Sequence, residues 1–345
     1  MQETALQNPV LHFDLYPPVG DEDWRYTFAT AQVRTLEDRM LSAQLFTEMA
    51  NAANGAEAIE LLAQTDYAIS PTATDKELEQ ILCDIRRNVR RFVEQLIIDE
   101  EIVRLFRARS DFANMRLAVR RLVLEKPLGT DYCDQGNIPI AEFEQVFEQE
   151  DYSTLPVYLQ EGVEAGVLGY YKNKNVRDID LAIDRVEARV FLENAIASGC
   201  VFLEELFRMQ IDLANIRTMM RMKFTGIQDK DVFIPGGYID TGKLTQCIDM
   251  AYESLAQNFA ATSYYNVVES GAAYLQKENS FLRLEAACDE HLLGFLKTTR
   301  CITAGPQPII AYLLMKEHEI RNVRMVLTAK RNGLESKVIL ERLRC

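Results

Sequence analysis

The segment LFRARSDFANMRLAVR, residues Leu105–Arg120, occurs a second time as LFRMQIDLANIRTMMR at Leu206–Arg221. The two segments lie 101 positions apart and agree at 8 of 16 residues, namely Leu, Phe, Arg, Asp, Ala, Asn, Arg and Arg. A third copy, with Glu in place of Asp, follows at Glu319-Ile-Arg-Asn322-Val-Arg324. Three copies at near-equal spacing indicate an internal repeat.

Each copy has the period of an amphipathic helix. Apolar residues recur at spacings of three and four, and they share one helical face with the acidic residue. The stripes are Met115, Ala118, Val119 and Leu122; then Ile216, Met219 and Met220; and then Val323, Val326 and Leu327. Around them lie the repeat-motif residues, which are Asp111, Asn114, Arg116, Asp212, Asn215, Arg217, Glu319, Asn322 and Arg324.

The motif is interpreted as a helix-docking device. Polar groups at a packing edge need partners, because leaving one unpaired costs about 1–3 kcal/mol. We expect the arginines of the paired helix or of the neighbouring repeat to supply them. A catalytic role is disfavoured, because no His or Ser accompanies the motif in register.

Helical periodicity continues through nearly the whole chain and predicts an all-α fold. Turn signals separate the helical runs, at Pro127-Leu-Gly129, Pro235-Gly236-Gly237, Gly305-Pro306-Gln-Pro308 and Asn332-Gly333. Upstream of each motif copy lies another long helix, and no linker separates the units. We therefore expect a single domain over residues 1–345, with pseudo-repeats at about 26–129, 130–228 and 229–345.

Charge and hydropathy exclude two classes of protein. The 345 residues include 38 Lys and Arg against 52 Asp and Glu, for a net charge of −14, which argues against a nucleic-acid-binding protein. Met1–Pro9 lacks the pattern of a signal peptide. The longest uncharged stretches, Cys301–Met315 and Ser254–Val268, are shorter than the roughly 20 apolar residues of a membrane helix.

No catalytic, cofactor or metal site is expected. Gly237-x-x-x-x-Gly242-Lys243 imitates a phosphate-binding loop, but Leu244 stands where Ser or Thr should bind magnesium, so a plain connecting loop is favoured. The three histidines and seven scattered cysteines have no ligand spacing. Glu317-His318-Glu319 is expected to be a solvated or salt-bridged helical turn.

Charge is distributed unevenly along the chain. Asp134–Glu164 contains eight acidic residues and no Lys or Arg, whereas Lys316–Arg344 is predominantly basic. The acidic segment is either a solvated face or a docking surface for a basic partner. The candidate partner surface consists of Glu142, Glu144, Glu148, Glu150 and Asp151.

Three parts of the sequence resemble one family, the C subunits of the bacterial and archaeal V/A-type ATPases, which correspond to the d subunits of the eukaryotic enzymes. The most specific is the ending from Glu319-Ile-Arg-Asn-Val-Arg through Lys330-Arg-Asn-Gly333 to Arg344. Ala31-x-Val33-Arg34-x-Leu36 and Leu61-Leu62-x-x-Thr65-x-Tyr67 add to it. The similarity extends from about Tyr26 to the end, although Thr328 replaces the second Arg of the motif.

The resemblance implies a non-catalytic rotor component, a helical funnel with pseudo-threefold symmetry. Its partners would be the central-stalk subunits of the D and F type and the membrane proteolipid ring. It would lie at the cytoplasmic face of the membrane and couple the stalk to the ring for proton or sodium transport, while ATPase activity resides in other subunits. Two alternatives are a soluble helical-repeat scaffold that recruits other partners and an enzyme with a cavity site at the pseudo-axis.

Overall fold

The protein is helical throughout the part of the chain that the computed structural model describes, residues 16–126, 131–226 and 232–343. No strand occurs in these ranges, so the predicted all-α class is confirmed. Of the predicted turns, Pro127–Gly129 lies outside the described residues, as do Met1–Pro9 and Arg344. Gly305–Pro308 and Asn332–Gly333 lie at the two ends of the helix Pro306–Arg331. Pro235–Gly237 lies in the loop between the helices Val201–Thr225 and Thr241–Ile248.

The described chain forms two compact units. The middle unit, Asp99–Ile248, contains six α-helices among its described residues: α5 (Glu100–Val123), α6 (Ile140–Gln149), α7 (Val157–Asn173), α8 (Val176–Ala197), α9 (Val201–Thr225) and α10 (Thr241–Ile248). The single domain with three pseudo-repeats stays a prediction.

The terminal unit combines residues 16–98 with residues 249–343. Its amino-terminal helices are α1 (Thr27–Glu37), α2 (Ala43–Asn51), α3 (Gly55–Glu60) and α4 (Asp75–Leu96). Its carboxyl-terminal helices are α11 (Tyr252–Leu255), α12 (Tyr265–Glu278), α13 (Leu282–Thr298), α14 (Pro306–Arg331) and α15 (Ser336–Arg342). Within the described ranges, no helix combines the length and the apolar character that crossing a bilayer requires.

In the middle unit, glycines allow α7 to pack closely against its neighbours. A Cβ added at Gly162 would lie 2.6 Å from the Cε of Met115 on α5. At Gly169 it would lie 2.8 Å from the carbonyl oxygen of Asp178 on α8. The apolar stripes of α5 and α9 are buried in the same unit, apart from the half-buried Leu122.

In the terminal unit, α14 is the central helix and packs against α2, α3 and α4. Its stripe of Val323, Val326 and Leu327 is fully buried in a cluster with residues of those helices. Helix α4 begins with a capping box: the hydroxyl of Thr74 accepts from the N–H of Glu77, and the Glu77 carboxylate accepts from the N–H of Thr74.

The core of the terminal unit also holds a neutral histidine. His291 on α13 lies between the rings of Tyr16 and Tyr264, with centroid distances of 5.2 and 5.0 Å. Burial lowers the pKa of His291 to about 4. At this position the unfolded chain therefore binds more protons than the folded chain between pH 6.5 and pH 4. The contribution of His291 to folding stability is complete above pH 6.5 and is lost as the pH falls through that window.

We expect His291→Phe to weaken this pH dependence. In wild type, each pH unit below 6.5 costs up to about 1.4 kcal/mol through this one group. Phe has a similar shape and does not titrate, so the variant should lose less stability between pH 7 and pH 5. Urea unfolding at several pH values measures the difference, and identical pH profiles for the two proteins would contradict it.

Candidate functional site: repeated helix clamps and an acidic surface

The acidic residue of the motif holds the loop that follows its own helix. In the first copy, the Asp111 carboxylate accepts hydrogen bonds from the backbone N–H groups of Asn137, at 3.0 Å, and Ile138, at 3.2 Å. In the second copy, Asp212 accepts from Tyr238 at 3.0 Å and Ile239 at 3.1 Å. The donors lie 26 and 27 residues after the acid in both copies. Both copies therefore use the same contact.

The asparagine of the motif makes a second contact with the same loop. The Asn114 side-chain amide donates to the carbonyl oxygen of Cys133 at 2.9 Å and accepts from its N–H at 2.8 Å. Asn215 makes the same pair of bonds with Ile234, at 2.7 and 2.8 Å. The partner lies 19 residues after the asparagine each time. We call the acid and the asparagine of each motif copy, together with the chain segment that the acid holds, a helix clamp.

A glycine allows each carboxylate to approach the loop. A Cβ added at Gly136 would lie 2.1 Å from Oδ1 of Asp111, and a Cβ at Gly237 would lie 2.1 Å from Oδ1 of Asp212. No side chain fits at either position. Gly237, the first glycine of the apparent phosphate-binding sequence, thus lies in the clamped loop before α10, as the connecting-loop interpretation expects.

The third copy takes its partner from the opposite end of the chain. The Glu319 carboxylate on α14 accepts from the backbone N–H of Leu41, at 2.6 Å. Leu41 precedes the start of α2 by two residues, just as Ile138 precedes α6 and Ile239 precedes α10. The amino-terminal segment therefore provides, within the terminal unit, what a following loop provides in the other two copies.

The third clamp also contains a buried ion pair. Nζ of Lys316 donates to Oε1 of Glu319 at 2.6 Å, and both side chains are almost completely buried, with 4% and 3% exposed. The Tyr67 hydroxyl donates to the same oxygen at 2.7 Å. Burial, with the Glu319 charge as the next cause, raises the pKa of Tyr67. Asn322 differs from its counterparts, since its amide lies 3.0 Å from Nε2 of His318.

The expectation that arginines bind the motif acid and asparagine is wrong for Asp111 and Asn114. Asn114 bonds the backbone of Cys133, and Asp111 accepts from the backbone and side chain of Asn137 and from the backbone of Ile138. Two of the three motif arginines, Arg116 and Arg324, bind carboxylates on a neighbouring helix. Arg116 pairs with Asp184 at 2.6 Å and Glu187 at 3.0 Å on α8. Arg324 pairs with Glu79 on α4 at 3.0 Å. Arg217 lies half-buried on α9.

The predicted turn around His318 is salt-bridged, but it is not solvated. Glu317 pairs with Arg90 at 2.5 Å, and Glu319 pairs with Lys316. His318 itself is buried, and burial lowers its pKa to about 4. The charged residues of this turn predict contact with water, but His318 and Glu319 are buried together with the apolar residues of α14.

Burial also affects Asp111. It raises the pKa of the carboxyl group, and the hydrogen bonds from Asn137 and Ile138 oppose the rise. Such a buried carboxylate could suggest acid–base chemistry, but both of its oxygens bind backbone N–H groups of its own loop. Its arrangement suits positioning of the loop.

Removing one asparagine of a clamp should destabilise the fold. Asn215 is buried, and Asn215→Leu would leave the N–H and the carbonyl of Ile234 without their partner. We expect a loss of about 1–3 kcal/mol in the free energy of unfolding. Chemical denaturation measures it, and an unchanged unfolding midpoint would show that the amide contributes nothing.

The candidate partner surface lies on α6 and directly after it. Glu142, Glu148, Glu150 and Asp151 are exposed, and Glu144 is half-buried. The opposite side of α6 is buried through Phe143, Val146 and Phe147. The five acids therefore lie outside the core of the middle unit, where a partner can reach them.

A cavity of about 410 Å³ in the middle unit contains charged groups. Arg109, Asp184 and Glu187 line it together with Phe191 and Phe207. Arg116 binds both of these carboxylates, and the guanidinium of Arg109 lies 5.6 Å from the ring centroid of Phe191. Within the described ranges, no three His, Cys, Asp or Glu side chains form a group that could hold a metal ion.

Comparison with known proteins gives consistent matches over most of the chain. The model of the ATP synthase (C/AC39) subunit family matches residues 29–342. The C subunit of the A-type ATP synthase of Thermococcus kodakarensis is 26% identical over 341 residues, covering 92% of this chain and 91% of the relative. The C subunit of the V-type sodium ATPase of Enterococcus hirae is 23% identical over 322 residues, covering 90% and 96%. The chain belongs to the ATP synthase (C/AC39) subunit family.

Proposed function

We propose that this chain is a non-catalytic central-stalk subunit of a V/A-type rotary ATPase, which couples the rotating stalk to the membrane proteolipid ring for proton or sodium transport. The family match over residues 29–342 carries the proposal, because it extends over nearly the whole length of the chain. The relatives' names place them in ATP synthases and in a sodium ATPase. In this proposal ATP is hydrolysed or made by other subunits.

The helix clamps suit a component that passes torque. A torque-bearing part must resist deformation, and buried hydrogen-bonded networks rigidify the elements that they join. Asp111 and Asp212 fasten a long helix to its following loop, and Glu319 fastens α14 to the segment before α2. Fixed helix–loop junctions of this kind support the rotor role.

The proposed partners are the stalk subunits of the D and F type and the proteolipid ring, at the cytoplasmic face of the membrane. A pull-down of the tagged full-length chain from native membranes tests this. We expect stalk and ring subunits to be recovered. Recovery of neither would contradict the proposal and favour a scaffold with unrelated partners.

Charge reversal on α6 tests the contribution of the candidate partner surface. Glu144→Lys, Glu148→Lys and Glu150→Lys together should weaken binding to purified stalk subunits and make it less sensitive to salt, because complementary charges mainly supply association rate and specificity. Affinity is measured over a range of ionic strengths. Unchanged affinity and salt dependence would mean that these residues form a solvated face.

A further inference from the structure

Helix α7 presents a continuous row of apolar and acidic side chains to solvent. Val157, Leu168 and Tyr171 are 68%, 61% and 59% exposed. Glu164 is exposed and Glu161 is half-buried. The five residues, which we call the α7 stripe, are spaced by four, three, four and three, so they share one helical face over about 21 Å. This is the spacing of helices that pack lengthwise against a partner helix.

Helix α12 of the same chain resembles α7 and can be compared with it position by position. Lys174 is the C-cap residue of α7 and Asn279 is the C-cap residue of α12, and both have left-handed backbone conformations. Eight residues before each lies a buried glycine that contacts the next helix, Gly166 in α7 and Gly271 in α12. The two helices can therefore be aligned from their carboxyl-terminal caps.

Two of the aligned positions differ in the size and polarity of the side chain. Leu168 corresponds to Ala273, and Tyr171 corresponds to Gln276, and all four residues are exposed. Since α12 folds with a small and a polar residue at these positions, the fold does not require a large apolar side chain there. The large exposed side chains of α7 thus need another explanation. Association with a partner is the usual reason for such a patch.

The charge of the α7 stripe determines what kind of partner fits. Glu161 is paired with Arg189 at 2.5 Å, and Glu164 lies one turn further along, at the end of the segment Asp134–Glu164 that contains no Lys or Arg. Beyond Tyr171 the sign changes, because Nζ of Lys174 lies 3.7 Å from the centroid of the Tyr171 ring. A complementary surface therefore has positive charge opposite Glu164 and apolar groups on both sides of it.

We propose that the α7 stripe docks an amphipathic α-helix of another subunit of the complex, with Lys or Arg at the level of Glu164 and apolar residues facing Val157, Leu168 and Tyr171. The docking depends on assembly with other subunits, which family membership supports, and it does not depend on the rotor role. The clamps and the surface on α6 take no part in it.

Exchange of residues between the two related helices provides a matched test. Leu168→Ala with Tyr171→Gln gives α7 the residues of α12, and Ala273→Leu with Gln276→Tyr makes the reverse change as a control. Binding of each full-length protein is measured to membranes that contain the complex without this chain. We expect at least about tenfold weaker binding for the α7 variant and unchanged binding for the control. Equal binding by both variants, or an equal loss in both, would overturn the proposal.

A charge variant tests the acidic middle of the stripe. Glu164→Lys should weaken binding and flatten its salt dependence, because it removes the favourable pairing with the basic partner. Circular dichroism of each variant checks that the helices are intact, which exposed substitutions should not change. Wild-type affinity and salt dependence in Glu164→Lys would contradict a basic partner.

Photo-crosslinking identifies the occupant. A photoreactive amino acid at position 168 should form an adduct with a segment of another subunit that carries Lys or Arg between apolar residues at spacings of three and four. Adducts with lipid or with a second copy of this chain, or a yield no higher than at position 273, would contradict the proposal. If wild type recovers stalk and ring subunits and the α7 variant recovers them equally well, only the docking proposal fails; if wild type recovers neither, the proposed rotor function fails.

Discussion

Replacing Lys316 with Met is expected to lower the free energy of unfolding by about 3–5 kcal/mol. The side chain is 4% exposed and its ammonium group lies 2.6 Å from the equally buried Glu319 carboxylate. Met is similar in length and fits an apolar environment, so the main change is the loss of charge. The carboxylate then keeps its hydrogen bonds from Tyr67 and Leu41 but has lost the neutralising ammonium group. Urea unfolding at pH 7, followed by circular dichroism, measures the loss.

A double variant separates the effect of the unpaired Glu319 charge on stability from the effect of losing the Lys316 side chain. Adding Glu319→Gln to Lys316→Met removes the uncompensated charge and keeps one acceptor oxygen, so part of the stability should return. The two single changes should therefore be non-additive. If Lys316→Met unfolds at the wild-type denaturant concentration, the ion pair contributes nothing to the third clamp.

The second large effect is expected for Asp212→Leu, which should destabilise the protein by about 2–5 kcal/mol. The change leaves the backbone N–H groups of Tyr238 and Ile239 without their acceptor, and each unpaired buried group costs about 1–3 kcal/mol. Leu also cannot occupy the space against Gly237, where the carboxylate oxygen now lies 2.1 Å from the position of a Cβ.

Asp212→Asn is the matched control for this effect. It retains the shape of the side chain and one acceptor oxygen, so its loss should be smaller than that of Asp212→Leu. The same unfolding experiment compares the three proteins. Equal stability of the Leu variant and wild type would exclude a role of the clamp in holding the loop before α10.

The fold class could be predicted from the sequence because the periodic signal is strong and occurs in every part of the chain. The stripes of the three motif copies are buried almost completely, as spacings of three and four predict. The need of the motif's polar residues for local partners could also be inferred, because an unpaired polar group at a packing edge is costly. The role of the motif in docking helices stays a prediction.

The hydrogen-bond partners of the motif residues could not be predicted from the sequence. A carboxylate that accepts from a backbone N–H places no requirement on the identity of the donor residue, because every residue except Pro has that group. The available signal was the pair Gly136 and Gly237, each 25 residues after the acid of its copy. Only glycine tolerates a carboxylate at 2.1 Å from the Cβ position.

The contact of Glu319 with Leu41 was even harder to predict from the sequence. The two residues are separated by 278 positions, and the donor is again a backbone N–H that no side chain marks. The buried ion pair had a signal, since Lys316 and Glu319 lie three residues apart within the apolar run of α14. Three residues is one of the spacings at which side chains meet on a helix.

Coupling in the assembled complex tests the proposed rotor function most directly. ATP hydrolysis and ATP-driven ion uptake are measured together in vesicles that carry the complex with this chain, without it, and with it added back. We predict that the complex without the chain hydrolyses ATP but does not drive ion uptake, and that adding the wild-type chain restores uptake. Ion uptake at the full rate per ATP in the absence of the chain would contradict the rotor function.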